Sequence, residues 1–162
     1  MTIRVVPAGT LHCREMADLL NDIIRLGGTT ALATEVDGEE IQSWMSRNAE
    51  RSAWHVAEDD SGRVLGFQWI TVGNNLPPEA AEIATFARVG MTGLGIGSKL
   101  FEATKKAARL LGYTWINANI RADNTGGLSY YQSRGFEDYG RKTGVQLDNG
   151  LVVDKVLKRF DL

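Results

Sequence analysis

The chain has 162 residues, 43% hydrophobic and 23% charged, the balance of a folded domain and not of a disordered tail, and its length favours a single domain over residues 1–162. A net charge of −2 gives no reason to expect nucleic acid, no apolar run reaches the roughly 18 residues of a membrane span, and one cysteine with two histidines leaves little for a disulfide framework or a zinc site. Residues 1–10 lack the apolar core of a signal peptide, so a cytoplasmic location is expected.

Thr2 to Val6 alternates as a short strand, and Leu11 to Arg25 carries Met16, Leu19, Leu20, Ile23 and Ile24 at helical spacing before Gly27-Gly28. A Thr-rich stretch, Thr29 to Val36, precedes a second helix over Glu39 to Asn48. Ala53 to Glu58 and Val64 to Val72 form a hairpin around Asp59-Asp60-Ser61-Gly62. Ala81 to Val89 is a third long strand, and Ser98 to Leu111 an amphipathic helix with a basic outer face, closed at Gly112. Tyr113 to Ile120 is a strand, Asn124 to Ser133 a short helix, and Phe136 to Leu147 with Val152 to Phe160 a closing strand pair. This order predicts an α+β fold, a mixed sheet flanked by helices in a three-layer arrangement.

The charge is unevenly spread. Residues 1–86 hold six Lys/Arg against 13 Asp/Glu, whereas residues 87–135 hold seven against two. The middle third therefore suits an anionic ligand, and the first half a cationic one. In that middle third Gly90, Gly93, Gly95 and Gly97 lie between a strand and a helix. A helix N-terminus offers unpaired N–H groups and a partial positive charge, and glycines let a phosphate approach the backbone. The dinucleotide fingerprint fails here, because its third glycine would fall on Ser98, and a P-loop fails because Gly97 is followed by Ser98 and then Lys99. A tight turn for strand–helix packing is the other reading of the cluster.

The stretch Thr92-Gly93-Leu94-Gly95-Ile96-Gly97-Ser98-Lys99-Leu100 resembles the acyl-CoA-binding motif of the GNAT superfamily of N-acyltransferases. A second match follows in register: Asn124, seven residues to Tyr131, then four to Gly135-Phe136. Thr92 departs from the family's usual Gln or Arg, with Arg88 or Lys99 placed to compensate. Thr29-Thr30-Ala31 is similar to the phosphinothricin-type acetyltransferases within that superfamily.

The resemblance implies a mostly antiparallel seven-stranded sheet with about four helices, and an acetyl-CoA-dependent N-acetyltransferase in which an amine attacks the thioester directly. The acceptor it implies is a small, amino-acid-like primary amine. It implies no metal and no nucleic-acid or membrane partner, and it leaves room for a homodimer. Backbone N–H groups from Thr92 to Ser98 (Thr92, Gly93, Leu94, Gly95, Ile96, Gly97 and Ser98) would hold the CoA pyrophosphate. Ala87, Arg88 and Val89 would pair with the pantetheine arm at a splay from the next strand, and Asn124 would contact that arm. Tyr131 matches the residue that protonates the leaving thiolate, whereas without the Gly135-Phe136 spacing it reads as an aromatic packing residue on a short helix.

Glu82 is the first candidate for the base, against a reading as an exposed carboxylate. His55 reads as a core histidine. Glu35 and Asp37 are candidates to hold an amine, and Asn117 and Asn119 to line the cleft. A silent acyl-CoA-binding sensor or scaffold and a protein or peptide acetyltransferase are the alternatives.

Overall fold

In chain order the elements are β1 (Arg4–Pro7), α1 (Cys13–Leu26), α2 (Gly38–Ser46), β2 (Ala53–Glu58), β3 (Val64–Val72), β4 (Ala80–Ala87), α3 (Ile96–Leu110), β5 (Trp115–Arg121), α4 (Thr125–Ser133), β6 (Glu137–Gln146) and β7 (Val152–Asp161). This is a computed structural model, and it describes residues 2–91 and 94–162. The predicted Thr92 and Gly93 therefore lie outside the described residues. Among those described, the strands form one seven-stranded sheet in the order β1-β2-β3-β4-β5-β7-β6. Only β4 and β5 pair in parallel; the other neighbours are antiparallel. The α+β class and the seven-strand, four-helix count are as expected.

Helices cover both faces. On one, Met16, Leu19, Leu20 and Ile23 of α1 and Ile41 of α2 pack on Trp54, Val56 and Phe67. On the other, Phe101 and Ala108 of α3 and Tyr131 of α4 pack on Ile70, Ala81, Ile83, Ile116 and Ala118. Each fully buried side chain of this kind contributes about 1.5–3 kcal/mol. Among the described residues no helix is long and apolar enough to cross a membrane.

Several expected boundaries shift, for reasons of end chemistry. The strand expected to reach Val89 stops at Ala87, because the Met91 N–H bonds the Arg88 carbonyl and Gly90 turns at φ 82. The third helix starts at Ile96 and not Ser98, because Gly95 takes the left-handed N-cap conformation at φ 78. Tyr113 closes α3 through its N–H to Ala108, so β5 begins later, at Trp115. The second helix begins at Gly38, where the Asp37 carboxylate caps Glu40 at 2.9 Å.

The pairing of β4 with β5 positions the site. It covers only Ala80, Ala81 and Glu82 against Trp115, Ile116 and Asn117. Beyond it the two strands separate, β4 staying with β3 to Ala87 and β5 with β7 to Arg121. The sheet is thus split along part of its length.

Candidate active site

Backbone alternation tells which groups line the split. The Arg88 N–H donates to the Leu65 carbonyl at 2.8 Å, so Arg88 and every second residue before it turn towards β3. The Ile83 carbonyl and the N–H and C=O of Thr85 and Ala87 therefore face the split, the Ile83 N–H being used in the last parallel pair, Glu82 with Asn117. On β5, the Leu162 N–H bonds the Thr114 carbonyl and the Ala122 N–H the Asp154 carbonyl. The same alternation turns the peptide groups of Asn119 and Arg121 towards β4. A ligand carrying amides could pair with these open edges as an inserted strand does.

Side chains on the two faces differ. On the α3/α4 face, the Tyr131 hydroxyl meets Thr85 Oγ1 at 2.8 Å. Gln68 Nε2 donates to Thr85 Oγ1 at 2.8 Å and to the Tyr130 hydroxyl at 3.0 Å. Tyr130 in turn donates to the Gly97 carbonyl at 2.7 Å, and Thr104 donates to Gln68 Oε1 at 2.5 Å. Burial raises the Tyr131 phenol well above its ordinary value, partly offset by the bond to Thr85, and pushes Tyr130 up to about 12. Both phenols stay protonated at neutral pH.

On the α1/α2 face, at the apex of the split, Glu82 Oε2 accepts from Asn117 Nδ2 at 2.8 Å. Tyr139 donates to Asn117 Oδ1, reaching it from a bulge in the β6–β7 register between Asp138 and Gly140. Burial raises the Glu82 carboxyl above its usual range; the Asn117 hydrogen bond and the nearby Lys142 and Lys155 pull it back. Lys155 is itself lowered, by burial and then by Lys142. The partly buried Trp69 and Phe86 continue the same face, with Trp54 stacked on Trp69 at 4.1 Å. The carboxylate thus sits in a recess where burial makes it a stronger base than usual and the neighbouring amide and cations partly offset that.

The start of α3 is left uncapped by any side chain, with no acidic residue in its first turn. Its first backbone bond runs from the Lys99 N–H to the Gly95 carbonyl, which leaves the Ile96, Gly97 and Ser98 N–H groups without helical partners. Leu94 and Gly95 are exposed, whereas Ile96 is buried against Leu65 and Leu100. Gly97 has a separate reason to be glycine: a Cβ there would lie 2.5 Å from Tyr130 Cε1.

Two side chains expected at the ligand are engaged elsewhere. The Arg88 guanidinium turns inward, donating to the Val64 carbonyl at 2.6 and 2.9 Å and pairing with Glu15 at 3.4 Å, so it does not stand in for Thr92 at a phosphate. Asn124 accepts from the Gly127 N–H at 2.9 Å and donates to the Thr29 carbonyl at 3.1 Å, so its side chain caps α4 and holds the Thr-rich loop. Val89 is exposed beyond the strand end. Glu35 pairs with Arg25, and Asp37 caps α2 through one oxygen, both carboxylates remaining exposed. His55 is half-buried, its Nδ1 without a partner among the described residues.

Reading the sequence missed Gln68, Thr85, Tyr139, Lys142 and Lys155. One signal was present: Gln68 is a lone amide on the core-facing alternation of an otherwise apolar strand. Tyr139 gave none, since its direction comes from the bulge.

Comparison with known proteins adds to this geometry. A family model described as "Acetyltransferase (GNAT) family" matches residues 15–136. The Bacillus subtilis (strain 168) protein named "Putative phosphinothricin acetyltransferase YwnH" is 27% identical, the match covering 100% of this chain and 95% of that one. The structure of a phosphinothricin acetyltransferase from Sinorhizobium meliloti, solved in complex with AcCoA, superposes with a TM-score of 0.89 at 20% identity, covering 100% of this chain and 89% of that one. A ribosomal-protein-alanine N-acetyltransferase from Brucella melitensis superposes with a TM-score of 0.88 at 24% identity, over the whole of both chains.

Proposed function

We propose that this chain, which belongs to the acetyltransferase (GNAT) family, moves an acetyl group from acetyl-CoA to the primary amine of a small acceptor that also carries an anionic group. The observation that carries this reading is the split between β4 and β5, with a phenol on one face and a base-tuned carboxylate on the other.

The residues present fit acetyl-CoA. The N–H groups of Ile96, Gly97 and Ser98, which have no helical partners among the described residues, and the exposed Leu94–Gly95 turn before them suit a pyrophosphate. The Ile83 carbonyl and the open peptide groups of Thr85 and Ala87 suit the amides of a pantetheine arm. When bound, acetyl-CoA supplies an activated carbonyl and a thiol leaving group. Tyr131 holds a proton at its hydroxyl on the α3/α4 face, where a departing sulfur needs one. Glu82 takes a proton from the acceptor ammonium on the opposite face, so the two proton transfers are kept apart.

The cations around Glu82 support the anionic acceptor. Lys142 and Lys155 both act on Glu82, and Arg121 acts on Lys155. A lone amine would be repelled by this cluster, whereas an amino acid would set its carboxylate, or a side-chain oxyanion, against it. The phosphinothricin-type name carried by the B. subtilis relative points the same way.

Thiol release from acetyl-CoA, measured over a panel of amino acids, their sulfoximine and phosphinate analogues, polyamines and an alanine-started peptide, tests this. Turnover is expected with the amino-acid-like members. Preference for the polyamines would reject the anionic acceptor, preference for the peptide would favour a protein substrate, and turnover of none would favour an acyl-CoA-binding sensor.

A further inference from the structure

Gln68 is fully buried at the centre of β3, in the middle of the α3/α4 face. A primary amide in a core is costly unless its donors and acceptor are all used. Here they are, and the partners fix which way round the amide lies. The Tyr130 oxygen sits 2.7 Å from the Gly97 carbonyl, and two acceptors do not approach so closely without a proton between them. A tyrosine has one hydroxyl proton, so Tyr130 spends it on Gly97. The Gln68 atom beside Tyr130 must then be the NH2 nitrogen, not the oxygen. That nitrogen also donates to Thr85, while the amide oxygen accepts from Thr104.

The consequence passes to Thr85. Its hydroxyl already accepts from Gln68, which polarises its own O–H and makes it a better donor and a poorer second acceptor. Its remaining partner is Tyr131, at 2.8 Å. We infer that Gln68 and Thr85 are positioning residues that fix the direction of this hydrogen bond from Thr85 to Tyr131, leaving the Tyr131 proton turned away from Thr85 and free for a leaving group. The inference rests on the acyl-transfer reading for its catalytic meaning, but not for its hydrogen-bond geometry.

The arrangement meets a difficulty that the site itself creates. Burial makes Tyr131 a reluctant acid, and the Thr85 hydrogen bond acts against that. When the Tyr131 O–H bond breaks and its proton passes to the departing thiolate sulfur, the phenolate oxygen is left with the Thr85 O–H aimed at it. Solvent then returns a proton to the phenolate. The other groups that bear on Tyr131, Tyr130 and Glu82, both oppose its ionisation. Thr85 is therefore the neighbour that eases it.

The test uses Tyr131 replaced by 2,3,5-trifluorotyrosine, whose phenol is acidic enough to offset the rise that burial causes, and follows the 19F resonances against pH without substrate. Thr85→Val should raise the pKa of this probe, Thr85→Ser should restore it, and Gln68→Met should raise it with Thr85 intact. In unlabelled protein Thr85→Val should lower kcat by about 10- to 100-fold, the loss of one hydrogen bond to a charged oxygen, with KM for acetyl-CoA unchanged. Added to Tyr131→Phe it should cost nothing more. An unmoved 19F titration in Thr85→Val overturns the inference, as does an additive loss in the double variant. A moved titration in a protein that releases no thiol with any acceptor keeps the relay and overturns the proposed function instead.

Discussion

Gly95 and Gly97, two residues apart in one motif, are glycines for unrelated reasons. Gly95 turns the chain into α3 at positive φ, with open space around it. Gly97 makes room for the Tyr130 ring, 33 residues on. Gly97→Ala should destabilise the fold by about 1–3 kcal/mol through overpacking, read as a lower urea midpoint with an unchanged slope. The cluster was legible in the sequence, since a helix start is a local property, but the demand on Gly97 was not, because it comes from α4.

Glu82 gives a second expectation at this scale. As a base it must be ionised, and its folded pKa lies above the ordinary 4.5. Activity should therefore fall as pH drops through that raised value. Glu82→Gln should lose about 10²- to 10⁴-fold in rate together with that acid limb, as a pH–rate profile would record.

Between elements, the most informative joint is where the Thr-rich loop meets the start of α4. Arg121, buried at the end of β5, donates to the Thr30 carbonyl at 3.0 Å and holds Asp123 through two bonds. Asn124 adds the Thr29 carbonyl and the cap of α4. Asn124→Ala removes both of its contacts, and urea unfolding should show a loss of about 0.5–2 kcal/mol, typical of a missing N-cap. The helices and the β2–β3 hairpin were readable because apolar spacing and turn residues lie within each segment. The split was expected from the family resemblance and not from the strand's own residues: Ala81 to Val89 reads as an unbroken strand, and its distant partner β5 shows that pairing ends at Glu82. The second motif predicted the position of α4 and Tyr131 and assigned Asn124 to a ligand, but gave no sign that its amide also caps α4 and holds the Thr29 carbonyl.

For the molecule as a whole, two partly buried titrations pull stability in opposite directions with pH. His55 has a folded pKa lowered by burial from the ordinary 6.5. Between that lowered value and 6.5 the unfolded chain binds more protons, so stability falls as pH drops through this window. Glu82, with a raised pKa, binds protons more readily when folded, so it adds stability as pH falls towards 4.5. Replacing His55 with Gln should flatten the loss below pH 6.5 in a series of urea midpoints, and leave the opposing Glu82 contribution exposed.

The three-residue seam between β4 and β5 has a last consequence. It leaves the two parts of the sheet joined by few direct hydrogen bonds, with peptide edges of each left open beside it. A molecule laid along those edges binds the folded chain and not the unfolded one, so its concentration enters the folding equilibrium. At a hundred times its dissociation constant the gain is about 2.7 kcal/mol, enough to raise the melting temperature by several degrees and to slow cleavage by a protease that attacks the opened chain. The lifetime of this protein would then track the supply of the compound that fills its seam.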